Sequence, residues 1–279
     1  MTITIDRPRF YKRQSFSHQE IPNMKKIAFT CLALASLVLQ NSAFASDTIR
    51  IGVDPTYPPF EYKQADGSLA GFEIDLGNAI CEKAGKKCEW VSMSFDGLIP
   101  SLRVGKIDAV FSSLGISEKR KKVVDFSDRT WTGFSSMLSL SSKNLLPTAE
   151  SLEGKTVGVQ QGSMQEDYAK AKLAPFGVKV QSYQTQDQVY ADLLNGRIDA
   201  SMQDMTQAQV GFIEDANHPE YSNQKMVDKL LPADSAIALR KGDSKIAKLI
   251  NNGIKAIHAD GTFAMIQRQH FGDLDLYSK

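Results

Sequence analysis

The chain is poor in the residues from which most catalytic and metal centres are built. Its 279 residues hold only three cysteines and four histidines. Beyond residue 45 the histidines are His218, His258 and His270, and none stands at metal-ligand spacing from another. Neither G-x-S-x-G nor H-E-x-x-H occurs. A phosphate-binding loop fails at Gly154-Lys155-Thr156, because Ala149 stands where the upstream glycine is required and the segment opens a strand pattern. These absences leave no catalytic residue, no metal and no cofactor to assign, and they argue against an enzyme. An excess of one charge is also missing: 33 Lys and Arg face 32 Asp and Glu, a net charge of +1. A nucleic-acid partner would want a clear basic excess. Long apolar runs are missing too. The one candidate, Ile27 to Leu39, is 13 residues, against roughly 20 for a membrane-spanning helix.

That short run has another reading. It follows Met24-Lys25-Lys26 and leads to Ala43-Phe44-Ala45, the basic, apolar and small-residue order of a secretory signal peptide cut after Ala45. Met1 and Met24 both remain open as the start. Cys31 lies inside the run in a poor context for lipidation, so the exported chain is expected to be soluble. Residues 1–45 carry six basic and two acidic side chains, so the remaining 234 residues have 27 against 30, net −3. That length suits one large or two modest domains. Export leaves Cys81 and Cys88, an even pair that reads as a disulfide in an oxidising compartment.

A weak internal repeat carries the fold argument. Leu102-Arg103-Val104-Gly105-Lys106-Ile107-Asp108-Ala109 resembles Leu193-Leu194-Asn195-Gly196-Arg197-Ile198-Asp199-Ala200, 91 residues later. Each copy reads as an amphipathic helix ending at a glycine, then a strand beginning at isoleucine. A second echo pairs Ile49-Arg50-Ile51-Gly52-Val53-Asp54 with Lys155-Thr156-Val157-Gly158-Val159-Gln160, followed by helical patterns at 72–83 and 165–172. Alternating strands and helices predict an α/β fold with mainly parallel sheet, duplicated into two similar lobes. Trp131-Thr132-Gly133 closes the first lobe and Leu231-Pro232-Ala233-Asp234 marks the return crossing. The last helices, 244–258 and 262–270, then pack on the first lobe. The expected division is a leader at 1–45, lobe I at 46–132 and 236–279, and lobe II at 136–231, with two crossing strands as a hinge.

Ligands of open α/β sheets bind beyond the carboxyl ends of strands. This selects Asp54 with the following Tyr57, Ser112 to Gly115, Gln160 to Ser163, and Gln203-Asp204, with Asp204 placed as the counterpart of Ser113. Ser163-Met164-Gln165-Glu166 fits a capping box. Of Lys119, Arg120, Lys121 and Lys122, one turned inward would make a carboxylate fork, and the run does not say which.

The residues now resemble a known family. The segments 51–60, 71–78 and 95–102 carry the likeness, with Lys119-Arg120, Asp125-Phe126-Ser127 and Asp260-Gly261-Thr262-Phe263. They are similar to the periplasmic amino-acid-binding proteins of ABC importers, solute-binding protein family 3, and most to those for histidine and for lysine, arginine and ornithine. The resemblance covers residues 48–279. It implies two mixed sheets flanked by helices and joined by two hinge strands, a monomer, and capture of a basic L-amino acid by hinge closure for delivery to a membrane permease. Arg120 aligns with the clamp on the ligand α-carboxylate and Asp204 with the acceptor of the α-ammonium. Tyr57 and Phe95 align with rings that sandwich the side chain, and Asp54 with the acid that reads its distal cation. Ser112, Ser113 and Ser163 align with polar groups of the cleft, and Cys81 and Cys88 with the family's disulfide. Three positions depart from the pattern. Gly115 replaces a hydroxyl residue and Met164 a threonine, leaving backbone N–H groups to hold the carboxylate there. Gln160 replaces an apolar residue and makes the wall more polar, so citrulline and opines stay open beside lysine, arginine, ornithine and histidine. A periplasmic dehydratase on this fold and an amino-acid sensor are the alternative functions.

Overall fold

A computed structural model describes residues 47–278. The leader expected at 1–45 lies outside the described residues. No described helix is long and apolar enough to cross a membrane.

Two five-stranded sheets share one topology. In chain order the first half gives β1 (Thr48–Val53), β2 (Thr56–Tyr57), β3 (Glu61–Lys63), β4 (Leu69–Ala70), α1 (Phe72–Lys83), β5 (Lys87–Ser92), α2 (Phe95–Arg103), β6 (Ala109–Val110), α3 (Glu118–Lys121) and β7 (Val124–Thr132). The second half gives β8 (Ser135–Leu140), α4 (Ala149–Leu152), β9 (Thr156–Gln160), α5 (Met164–Tyr168), β10 (Lys179–Tyr183), α6 (Gln186–Leu194), β11 (Ala200–Asp204) and β12 (Tyr221–Met226). Then β13 (Asp234–Arg240), α7 (Ser244–Ala259) and α8 (Thr262–Phe271) return to the first sheet. The strand orders are β5-β1-β6-β13-β7 and β10-β9-β11-β8-β12. In each sheet four strands agree in direction and one, β13 or β8, runs against both its neighbours. The sheets are therefore mixed, because the strand beside the third parallel strand in each is one that crosses between lobes. A small β2-β3-β4 sheet follows β1.

The repeat has a packing cause. A Cβ on Gly52 of β1 would lie 2.4 Å from Ile107 Cδ1, and a Cβ on Gly158 of β9 would lie 2.4 Å from Ile198 Cδ1. Each glycine therefore lets the isoleucine of the neighbouring Gly-x-Ile-Asp segment lie flat on its strand. The aspartates match as well. The Asp108 carboxylate accepts from Arg50 N–H at 3.2 Å, and the Asp199 carboxylate accepts from Thr156 N–H at 3.0 Å. Gly105 and Gly196 end the preceding helices with φ of 76° and 66°, a left-handed turn that glycine adopts at little cost.

Each sheet is covered on both faces. Ile49, Ile51, Phe72, Leu76 and Ile80 pack with Ile250, Ile254, Ile257 and Phe263 of α7 and α8, so the last helices sit on the first lobe. Leu98, Leu102, Ile107 and Val110 cover its other face. In the second lobe, Val157, Val159 and Met202 face one layer and Leu138, Val189 and Phe212 the other. Cys81 and Cys88 form a disulfide that ties α1 to β5. The helix expected at 165–172 is α5, which runs on as a π-helical turn over Ala169–Leu173. The strand expected to reach Ser112 is only β6, because the chain turns at Ser113, whose φ is 48°.

Candidate functional site

The carboxyl ends of β1, β6, β9 and β11 open on one cavity between the sheets, the place where small-molecule sites of α/β folds lie. Ten of the eleven residues expected at the site line it: Asp54, Tyr57, Phe95, Ser112, Ser113, Arg120, Gln160, Ser163, Met164 and Asp204. Gly115 does not. A Cβ on it would lie 2.3 Å from Met164 Cε and 2.8 Å from Met164 Sδ. The second-lobe methionine therefore lies over the first-lobe glycine and takes the room a side chain would need. The two departures from the family pattern are one packing solution.

Arg120 resolves the ambiguity of the basic run. Ser117 Oγ accepts its backbone N–H at 3.2 Å and starts the single turn of α3. That turn points one residue inward. Lys119 pairs with Asp167 at 2.7 Å and Lys121 with Glu118 at 2.8 Å, both at the surface, and Lys122 is exposed. Arg120 is 7% exposed. Its guanidinium donates to two carbonyls, Gly115 O at 2.9 Å and Gly162 O at 3.1 Å, and lies 5.5 Å from the Phe95 ring centre. No carboxylate among the described residues forms an ion pair with it. Burial pulls its pKa down to about 10, as desolvation of a lone cation must.

Two aspartates among the described residues are buried without a cation. Asp204 ends β11, and its Oδ1 accepts the N–H groups of Thr206 at 2.8 Å and Gln207 at 3.0 Å. A Cβ on Gly133, in the crossing segment, would lie 2.4 Å from Asp204 Oδ2. Burial pushes Asp204 up to about 7. Asp54 is 3% exposed. Its Oδ1 accepts from Thr56 Oγ1 at 3.1 Å and its Oδ2 from Gln160 Nε2, across the cleft, at 2.6 Å. Phe95 N–H also donates to it. Burial outweighs these bonds and lifts Asp54 to about 6.

Residues not selected from the sequence complete the wall. Glu61 is buried at the cavity and accepts from Ser112 Oγ at 3.2 Å and Ser113 Oγ at 3.1 Å. Glu73 lies behind it and accepts from Ser113 N–H at 2.7 Å and Trp131 Nε1 at 2.6 Å. Burial, with mutual repulsion, drives Glu61 well above the usual carboxylate range, and burial lifts Glu73 to about 8. Burial thus favours the protonated form of both. Trp131, Gly133 and Ala233 of the crossing segments also border the cavity. The Ser163 cap differs in one bond from the expected box. Ser163 Oγ accepts Glu166 N–H at 3.0 Å, but Glu166 accepts from Gly162 N–H at 2.7 Å and is drawn further by Lys170 and Ser182.

The two lobes touch across the cleft at several points. Tyr57 Oη accepts Asp204 N–H at 2.8 Å, Gln207 Nε2 donates to Pro58 O at 3.1 Å, and Gln161 Nε2 donates to Asp96 at 2.9 Å. The conformation is closed. Among the described residues no histidine borders the cavity: His258 packs between Phe263 and Tyr277, and His270 bonds Asp75. Ser112 and Ser113 donate to Glu61 and Ser163 Oγ accepts Glu166 N–H, so among the described residues no cavity serine is paired with a histidine. No cluster of His, Cys, Asp and Glu among the described residues is arranged to hold a metal.

Comparison with known proteins follows the same outline. The sequence model of the bacterial extracellular solute-binding proteins, family 3, matches residues 49–273. The histidine-binding periplasmic protein of Escherichia coli (strain K12) is 38% identical over 259 residues, 91% of this chain and 99% of that protein. The lysine/arginine/ornithine-binding periplasmic protein of the same strain is 39% identical with the same coverage. Among solved structures, an ancestral arginine-binding protein bound to arginine superposes with a TM-score of 0.76 at 35% identity, covering 81% of this chain and 99% of that one.

Proposed function

This chain belongs to the bacterial extracellular solute-binding proteins of family 3, and on that premise we propose that it captures a basic L-amino acid in the periplasm and delivers it to the permease of an ABC importer. The observation that carries this reading is the charge pattern of the cavity. Arg120 is buried without an anion, and Asp204 and Asp54 are buried without a cation. A buried charge is costly unless it is paired. A basic amino acid brings the three missing partners in one molecule: a carboxylate for Arg120, an α-ammonium for Asp204, and a side-chain cation for Asp54. Glu61, held protonated, adds no fourth charge. Tyr57 and Phe95 flank the ligand stem, where cation–π contact contributes on the order of 1–2 kcal/mol once water is excluded.

Capture works by closure. Arg120 and Asp54 belong to the first lobe, Asp204 and Ser163 to the second, so neither lobe alone satisfies the zwitterion. A ligand that bonds both lobes favours the closed population, and the permease reads that shape. The basic and apolar order of residues 24–45 supports export by a signal peptide, and the periplasmic relatives support the compartment. The protein acts as a monomer.

Titration calorimetry of the purified protein with the twenty amino acids and ornithine tests the reading. Binding of one or more of arginine, lysine, ornithine and histidine, with no binding of aspartate or glutamate, is expected. Silence from all four, or tighter binding of an acidic amino acid, refutes it.

A further inference from the structure

Asp54 and Gln160 terminate counterpart strands, β1 and β9, and their side chains meet in the closed cleft at 2.6 Å. A carboxylate only accepts, so it fixes which end of the amide faces it: Nε2 donates, and Oε1 is turned elsewhere. Among the described residues nothing donates to Gln160 Oε1, and Gln160 lines the cavity. A carboxylate has about four lone-pair sites. Thr56 Oγ1, Gln160 Nε2 and Phe95 N–H take three of those on Asp54. The distal end of the cavity therefore offers a ligand two acceptors side by side, one open site on Asp54 and the amide oxygen of Gln160.

That pair does not suit all basic side chains equally. An ammonium is a compact, strongly hydrated point charge that gains most from a single carboxylate. A guanidinium is a planar fork of five donors, more weakly hydrated, and can bond two adjacent acceptors in one plane. We propose that Gln160 is a specificity-determining residue that makes the site select a guanidinium over an ammonium, so arginine is preferred to lysine and ornithine. Citrulline binds more weakly than arginine, because its ureido group can present a similar fork of N–H donors but brings no charge to pair with Asp54. This deepens the basic-amino-acid reading and rests on it.

The test is titration calorimetry of the wild-type protein and of Gln160→Leu with arginine, lysine, ornithine and citrulline, after a thermal melt shows the variant folded. Gln160→Met, equally long and without polar atoms, replaces it if it is not. Wild type is expected to bind arginine tighter than lysine and ornithine. The substitution is expected to weaken arginine about tenfold or more, the loss of one hydrogen bond to a charged group, and to change lysine by less than about threefold. Equal affinity of wild type for arginine and lysine overturns the proposal, as does an equal loss for both in the variant. A gain in arginine affinity overturns it too, since the amide would then be competing with the ligand for Asp54. Failure of the underlying reading looks different: neither protein binds any of the three cations.

Discussion

Binding should release protons, and the number can be worked from the cleft. In the closed cleft Asp204 lies near 7 and Asp54 near 6, both lifted by burial. Pairing with the two ligand cations favours the ionised forms and draws both values down. Ligand therefore binds the deprotonated cleft, and affinity must rise with pH through this window. Glu61, held well above the usual carboxylate range, and Glu73, near 8, are given no ligand cation to pair with, so their protonation changes little on binding and adds little slope. At pH 5 the two carboxyls together release about two protons on binding, near pH 6.5 about one, and at pH 8 almost none. From above pH 7 down to pH 5, Asp204 costs about two decades of affinity and Asp54 about one, so arginine binding weakens by at most about a thousandfold, about 4 kcal/mol. Arginine is the right probe because its guanidinium and carboxylate do not titrate in this range. Calorimetry in buffers of different ionisation enthalpy reads the released protons directly. An opened empty cleft rehydrates both carboxyls and shrinks the effect, so the size of the slope also reports how far the unliganded protein stays shut. Affinity that falls as pH rises from 5 to 7, or binding heats at pH 5 that do not depend on the buffer, would refute the reasoning.

Three further perturbations follow from the packing. Arg120→Ala leaves a ligand carboxylate buried without its partner and should cost at least about thirtyfold in affinity for every α-amino acid; unchanged arginine binding in calorimetry sinks the assignment. Gly115→Ser pushes against Met164 across the cleft and should weaken closure several-fold in ligand affinity, with Met164→Thr restoring it. If the double variant binds no better than the single one, the two positions are not coupled. Reducing Cys81–Cys88 reopens a loop of seven-residue separation, worth about 2.5 kcal/mol in the chain-entropy account. The melting temperature should drop by roughly 5–10 °C, and no change in a calorimetric scan under reductant counts against a stabilising role.

What could be read from the sequence was local or repeated. The Gly-x-Ile-Asp junctions announced the duplicated strands because the same small residue, flat isoleucine and backbone-bonding aspartate recur at fixed spacing. Strand ends then pointed to Asp54, Ser112, Gln160 and Asp204 by a general rule of α/β sheets. What stayed hidden depended on distant segments meeting. Glu61 sits in a three-residue strand that carries no motif, and its carboxyl is met by Ser112 and Ser113, some fifty residues on. Choosing Arg120 from four consecutive cations needed the orientation of one helical turn, which spacing alone does not fix. Gly115 and Met164 looked like unrelated departures until the lobes closed. The diversion of Glu166 to Gly162 turned on Lys170 and Ser182 pulling its other oxygen.

The duplication also explains how the cleft came to be asymmetric. Two similar lobes that close on each other bring equivalent strand ends face to face, and identical ends would present like groups to the ligand. A zwitterion needs opposite ones. In the proposed binding mode the difference is made at two pairs of counterparts. Asp204 supplies a carboxylate where the first lobe has Ser113, so the ammonium is held from one side while Arg120 holds the carboxylate from the other. Asp54 keeps its charge, and its counterpart Gln160 is neutral. Two carboxylates at 2.6 Å would repel and hold the empty cleft open. An acid facing an amide can close without ligand, and the amide orients the acid for an incoming cation. Divergence at these positions, on a scaffold that stays duplicated, is enough to turn a symmetric pair of strand mouths into a directional site.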